Sequence, residues 1–468
     1  LYVFSRPNYA FFRTSLSKIR LKLIPHYSDT IIALATPPGR SAIGVIRLSG
    51  PQAIAWTAQL MPKKRLTDQP SHTLHYGLLH DLSGAVIDEV VVSLYRAPKS
   101  YTKEDVIEIS AHGSPYILNQ IIAVFLHMGA RLAEPGEFTL RAYLNGGMDL
   151  AQAEAVADLI ASQSEQGKRL ALNQLRGGFS KRLKALRQEL LDLASLVELE
   201  LDFSEEDVEF AQRNQIQATV SQILSEIRLL RESFRTGNAY KNGIPTVIAG
   251  RPNVGKSTLL NALLNENKAI VSDIPGTTRD VIEDRLFIGG YEFLIMDTAG
   301  IRESDNVIEA EGIKRTLEKM NTASLVIWLG ESADDFSKQL PAMPTDAHIL
   351  KIINKSDRLA PDSVKQEGFI YLSALKHQNL KALQEAMVHV AESFTPYDTI
   401  ISNQRHVQAL QACENSLQAV LAGIAHQLSS ELLAIDLRQC LYDLGLITGE
   451  VTNDEILGNI FSKFCIGK

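Results

Sequence analysis

Short apolar runs broken by turn residues mark the first part of the chain. Ile31–Ala35 and Ile43–Leu48 flank the turn Pro37–Pro38–Gly39, and Val90–Leu94 and Val106–Ser110 follow, so each predicts a strand. Ile117–Met128 has apolar residues at helical spacing and stops at Gly129, which predicts a helix. This α/β region closes near Leu150. From Ala151 to about Ser233 the period shifts to three and four, Pro is absent, and stretches such as LKALRQELLDLASLVELELDF predict long amphipathic helices in a bundle. Thr246–Ala249 then reads as a buried strand, alternating strand and helix patterns run to about Ser393, and a helical stretch from about Arg405 to Phe464 follows.

This pattern predicts a multidomain α/β plus α protein. Residues 1–28 form an extension and 29–150 an N-terminal α/β domain. Residues 151–242 and 394–468 are two parts of one helical domain, with a doubly wound domain, 243–393, inserted between them. A length of 468 residues fits about three domains.

Composition narrows the classes. The chain is 45% apolar and 22% charged, the range of a globular protein with real cores. No apolar run reaches the ~18–20 residues that span a bilayer, so no membrane association is expected. A net charge of −7 excludes nucleic-acid binding by the whole surface, and any RNA contact needs a local basic patch or a partner. Cys413, Cys440 and Cys465 are far apart in sequence without a CxxC pair, so no structural zinc is expected, and their low number fits a reducing compartment. Residues 1–28 carry Arg6, Arg13, Lys18, Arg20 and Lys22 and no acid, which reads either as an organelle transit segment or as an over-extended start. The expected location is cytoplasmic, or mitochondrial if that segment targets the chain.

The chemistry begins at Gly250-x-x-x-x-Gly255-Lys256-Ser257, set between the strand Thr246–Ala249 and the helix Thr258–Leu264. Glycines there let backbone N–H groups curl around phosphates, and the helix presents its positive end to them. Lys256 is placed to reach the β- and γ-phosphates, and Ser257 to hold Mg²⁺. The apolar strand Phe293–Met296 ends in Asp297–Thr298–Ala299–Gly300, where an acid reaches Mg²⁺ through water and a glycine admits the γ-phosphate. Ile349–Ile353 ends in Asn354–Lys355–Ser356–Asp357, whose carboxylate accepts two hydrogen bonds from a guanine edge, and Leu372–Ser373–Ala374–Leu375 backs the base. Four such motifs in order at strand ends predict a GTP site at the carboxyl ends of a parallel sheet. Gly276–Thr277–Thr278 lies between them, and Thr278 is the candidate switch ligand for Mg²⁺.

One group is missing. The position after DxxG, where a Gln orients the attacking water in Ras-like proteins, is Ile301. Another residue must serve. Glu303, Asp305, Glu309 and Glu311 are candidates, each equally readable as part of a solvated face. Asn253 offers a carbonyl oxygen to a monovalent cation beside the phosphates, or simply turns the loop.

GRPNVGKSTLLNAL, IVSDIPGTTRD, DTAGIR and FCIGK, with ATPPGRSAIGVIRLSG, YTKEDVIEISAHG, PGEFTLRAYLNG and DLAQAEAVADLI, together resemble the MnmE (TrmE) family of tRNA modification GTPases over residues 29–468. The GTPase boxes alone leave open an Era- or EngA-like ribosome-assembly GTPase; the N-terminal segments and the CIGK end favour the first. The resemblance implies a folate-binding N-terminal domain and a homodimer. It implies an MnmG-like FAD-dependent partner in a heterotetramer, and installation of a carboxymethylaminomethyl-type group at carbon 5 of the tRNA wobble uridine with a tetrahydrofolate one-carbon unit (5-formyl or methylene). GTP, Mg²⁺ and K⁺ are the implied companions of the G domain.

Carried over by position, GTP contacts fall on Asn253, Val254, Gly255, Lys256, Ser257 and Thr258, then on Ser272, Asp273, Ile274, Pro275, Gly276, Thr277 and Thr278. They continue through Asp297, Thr298, Ala299 and Gly300 to Asn354, Lys355, Asp357, Ser373 and Ala374. Mg²⁺ falls to Ser257 and Thr278, and K⁺ to Asn253, Ser272, Ile274 and Thr277. Glu309 matches the water-positioning glutamate, and Arg47, Glu108 and Lys468 match folate positions. Gly147 matches a fourth folate position, where the family often has a Lys, so a basic contact is expected to be absent there. Cys465, between Phe464 and Ile466, reads locally as a small buried hydrophobe, whereas the resemblance implies a role in modification.

Overall fold

The computed structural model describes residues 29–202, 213–267, 283–296, 323–336, 347–359, 366–394, 400–452, 454–465 and 467. The chain divides into two compact units. One runs to Ala153 and includes the segment from Thr452 onward; the other is Glu154–Val451.

The first unit is built on a six-stranded sheet in the order β3-β4-β5-β2-β1-β6. Its strands are β1 (Ile31–Leu34), β2 (Ile43–Ser49), β3 (Thr73–His80), β4 (Val86–Tyr95), β5 (Val106–His112) and β6 (Arg131–Leu132). All neighbours are antiparallel except β1 and β6. Alternation decides which face each side chain joins. Ile46 and Leu48 of β2 and Ile107 and Ile109 of β5 enter one core with Leu118, Ile121 and Phe125 of the helix Pro115–His127. Arg47 and Glu108, one position out of step, fall on the opposite face as direct cross-strand partners. β3 lies outside the expected strands because its pattern is inverted: Leu74, Tyr76 and Leu78 face outward, 71%, 59% and 41% exposed.

The expected helical stretch at the end of the chain is three helices, Gln404–Ala425, Ser430–Thr448 and Asp454–Phe461. The last belongs to the first unit, where Phe461 and Phe464 are buried and Gly136 N–H donates to the Cys465 carbonyl at 3.4 Å.

The second unit combines helices with a second six-stranded sheet, ordered β12-β11-β10-β7-β9-β8. The strands are β7 (Ile244–Gly250), β8 (Glu283–Ile288), β9 (Tyr291–Met296), β10 (Leu325–Gly330), β11 (His348–Ile353) and β12 (Ile370–Tyr371). Only β8 runs antiparallel to its neighbour. β7 and β10 are continuous apolar runs because both their faces are covered.

The helices Glu165–Leu175, Gly178–Asp202, Arg213–Glu232, Gln404–Ala425 and Ser430–Thr448 carry the expected amphipathic pattern. Glu154 is buried and binds both Arg405 (2.8 Å) and the buried His406 (2.7 Å). Burial alone disfavours its charge, but its bonds to His406 and Arg405 outweigh burial and hold its pKa down at about 2. Cys413 and Cys440, far apart in sequence, face each other in the core and are joined in a disulfide, which is at odds with the reducing compartment expected from the cysteine count. Among the described residues, no helix is long and apolar enough to cross a membrane and no His, Cys, Asp or Glu cluster forms a metal site.

Candidate nucleotide site and the Arg47 face

β7 ends at Gly250 and the helix Lys256–Asn267 begins six residues on, so the phosphate-binding loop joins a central parallel strand to a helix start. Two residues of the loop are left-handed, Asn253 at φ 64° and Gly255 at φ 97°. A side chain at Gly255 is excluded twice over: the backbone disfavours it, and a Cβ would lie 2.5 Å from Asn354 Nδ2. Asn354, buried at the end of β11, donates from that nitrogen to the Val254 carbonyl at 2.8 Å and accepts from Ala374 N–H at 3.0 Å. One side chain thus connects the phosphate loop, the NKSD box and the base-backing loop.

The cations lie on the same loop. Lys256 Nζ donates to the carbonyls of Gly250 (2.9 Å) and Arg251 (3.0 Å), and Lys355 Nζ to that of Asn253 (2.9 Å). Lys355 also pairs with Glu331, and Arg251 with Asp335 at 2.7 Å. At the base end, a hydrogen bond from Ser373 and the charge of Lys376, 3.3 Å away, hold the Asp357 carboxyl below the usual carboxylate range. It therefore presents an ionised acceptor at neutral pH. Ser257 is exposed and Thr258 half-buried in the first helical turn, and Asn253 is exposed. Ser272, Asp273, Ile274, Pro275, Gly276, Thr277, Thr278, Asp297, Thr298, Ala299, Gly300, Glu309 and Lys468 lie outside the described residues.

On the first unit's sheet, Arg47 Nε donates to Glu108 Oε1 at 2.8 Å and its Nη1 to the Gly467 carbonyl at 3.1 Å. Its guanidinium lies 5.5 Å and 5.6 Å from the ring centres of Tyr101 and Phe138. Gly467 has φ 97° and comes so close to β1 that a Cβ would sit 2.5 Å from the Leu34 carbonyl. Gly467 is thus seated beside the Arg47–Glu108 pair. Cys465 there is exposed, correcting its reading as a buried hydrophobe: the neighbouring Phe464 takes the buried place. At Gly147 a Cβ would lie 3.1 Å from Lys103 Cε, so the Lys103 stem occupies the space a longer side chain would need.

Sequence reasoning missed Arg141. Its side chain is fully buried and binds Asp29 (2.6 Å), Glu137 (3.0 Å) and Glu104 (3.2 Å). Burial works against the charge of Glu137, yet its bonds to Arg131 and Arg141 keep its pKa lowered. This network holds the start of β1 against the helix Glu137–Leu144, which carries Phe138 under Arg47. The available signal was the four-residue spacing of Glu137 and Arg141.

Family comparisons agree with this layout. The MnmE helical domain matches residues 150–465, and the N-terminus of GTP-binding protein TrmE matches residues 30–147. A tRNA modification GTPase MnmE from Cytophaga hutchinsonii is 50% identical, covering 95% of this chain and 99% of its own. Namesakes from Christiangramia forsetii and Bacteroides thetaiotaomicron are 48% and 46% identical, each covering 94% of this chain and 99% of its own. With both halves matched and these identities sustained over nearly the full length, the chain belongs to the MnmE (TrmE) family of tRNA modification GTPases.

Proposed function

We propose that this chain is a GTP hydrolase acting in the modification of tRNA. The observation that carries the reading is Asn354, which holds the phosphate loop and the base-reading loop in one hydrogen-bonded unit beside the ionised Asp357. Asp357 selects guanine, and Lys256 exchanges its loop carbonyls for phosphate oxygens when nucleotide enters. Ser257 and Asn253 fit as hard-cation ligands: both are exposed oxygen donors, and neither side chain has a hydrogen-bond partner among the described residues. Ser257 with Thr278 would hold Mg²⁺, and Asn253 with Ser272, Ile274 and Thr277 would hold K⁺. When bound, these ions offset charge that develops on the transferring phosphoryl group. Glu309 positions the attacking water, as Ile301 has no group for it.

In the first unit, Arg47, Glu108 and Lys468 bind a tetrahydrofolate derivative. Arg47 is partly buried and held by Glu108 and the Gly467 carbonyl, so it offers a preorganised cation, and Glu108 faces the same side of the sheet. Lys103 supplies the positive charge near Gly147 that a Lys at that position would bring elsewhere in the family. The folate one-carbon unit, an MnmG-like FAD-dependent partner and a homodimer of this chain together install the carboxymethylaminomethyl-type group at carbon 5 of the wobble uridine. Exposed Cys465, beside this face, is available as a nucleophile.

Nucleoside mass spectrometry of tRNA from cells with and without the chain tests the reading. Loss of the carbon-5 modification is expected. Unchanged tRNA, with co-purification of ribosomal subunits, replaces this function with ribosome assembly.

A further inference from the structure

Within the second unit lies a cavity of about 770 Å³, the size of a small-ligand or nucleotide pocket. Its walls include Arg169, Arg176, Lys181, Tyr240, Tyr291 and Glu392. Three cations therefore face one carboxylate. The excess is local: the chain is net −7, yet the segment from Gln166 to Gln188 carries lysines and arginines and no Asp or Glu.

Two further observations separate this cavity from a generic solvated face. Arg182 and Arg187, on the same helix as Lys181, are neutralised by Glu226 and Glu450. Arg169, Arg176 and Lys181, the ones that line the cavity, are exposed and make no ion pair among the described residues. Tyr240 is half-buried in the same wall, braced at 5.9 Å by the buried ring of Tyr291, so one partly open aromatic ring lies next to these cations. Exposed cations beside an open aromatic ring match the needs of single-stranded nucleic-acid binding, where phosphates meet the cations and a base meets the ring.

We propose that this cavity, through Arg169, Arg176, Lys181 and Tyr240, binds an unpaired stretch of the tRNA substrate. The proposal rests on the reading of the chain as a tRNA-modifying enzyme. It places RNA contact in the second unit. A free mononucleotide satisfies it poorly, since one phosphate group engages only part of a three-cation wall.

Binding of fluorescein-labelled, unmodified tRNA to the full chain, followed by anisotropy at several salt concentrations, tests this. Replacing Arg169, Arg176 and Lys181 together by Gln is expected to weaken binding about 10- to 100-fold and to flatten the salt slope by about 2–3. Tyr240→Leu is expected to weaken it about tenfold with the slope retained. Circular dichroism melting confirms that each variant is folded. In the unaltered chain, 4-thiouridine-bearing tRNA is expected to crosslink to the peptide containing Tyr240, which needs no variant. Tight tRNA binding by the triple variant with an unchanged slope, or a crosslink confined to other peptides, overturns the cavity but not the enzyme. Equal competition by uridine monophosphate or by polyglutamate assigns the cavity to a mononucleotide or an acidic polypeptide and also overturns it. Absence of tRNA binding by the unaltered chain overturns this proposal, whereas loss of the modification in cells remains the separate test of the enzyme.

Discussion

Asn354 Nδ2 lies 2.8 Å from the carbonyl of Val254, so the residue that opens the base-reading box also closes the phosphate loop. Asn354→Ala leaves two buried backbone groups, Val254 C=O and Ala374 N–H, without this partner. The expected cost is about 2–4 kcal/mol, read as a lower melting temperature and a weakened GTP affinity. Unchanged affinity on titration with a fluorescent GTP analogue rules out the coupling.

Glu154 gives the helical part of the second unit a signed dependence on pH. Its pKa falls from 4.5 to about 2 on folding, through its bonds to His406 and Arg405. The stabilisation is complete above the unfolded value and is lost as pH falls through the folded one, hence between about pH 4.5 and 2. A shift of this size corresponds to at most about 3 kcal/mol. Glu154→Gln is expected to lower the melting temperature at pH 7 and to shrink the difference between variant and parent toward pH 2. A constant difference across that range excludes Glu154 as the source.

Hydrolysis of GTP is expected to be faster in K⁺ than in Na⁺ at equal ionic strength, through Asn253. Glu309→Ala is expected to cut turnover with GTP affinity largely kept. Steady-state rates in the two salts and single-turnover assays of the variant check both. Equal rates in the two salts remove the cation from the mechanism.

Arg47 is proposed to bind folate while already anchored by Glu108 and the Gly467 carbonyl. Arg47→Ala is expected to lower affinity for 5-formyltetrahydrofolate at least about tenfold, the scale of one charge-assisted bond. Isothermal titration measures this, and wild-type affinity in the variant removes Arg47 from the site.

What the sequence made legible follows physical lines. β7 and β9 were readable as buried, largely apolar strands that end in a motif, whereas β11, with His348, Ile349 and Lys351 exposed, was readable chiefly from the Asn354–Asp357 box that follows it. β10 is as apolar but has no such tag, and β3 wears its large residues outward. The phosphate loop is local and needs only spacing. The Arg47–Glu108 pair depends on strand register across 61 residues, so it entered only by resemblance. Arg141 shows the limit more sharply: Glu137 is one turn away, but Asp29 and Glu104 come from distant segments. Cys413 and Cys440 likewise meet only when two helices pack.

The bond from Arg47 to the Gly467 carbonyl spans 420 residues, which gives it a meaning in time as well as space. At about 5–20 residues per second, a ribosome adds that much chain in roughly 20–80 s. The first unit to emerge therefore waits for Gly467 before its Arg47 face is complete. The second unit is synthesised whole within that interval and is free to fold first. Until Gly467 emerges, the nascent chain carries an unfinished Arg47 face, so assembly of that site reports that the whole second unit has been synthesised.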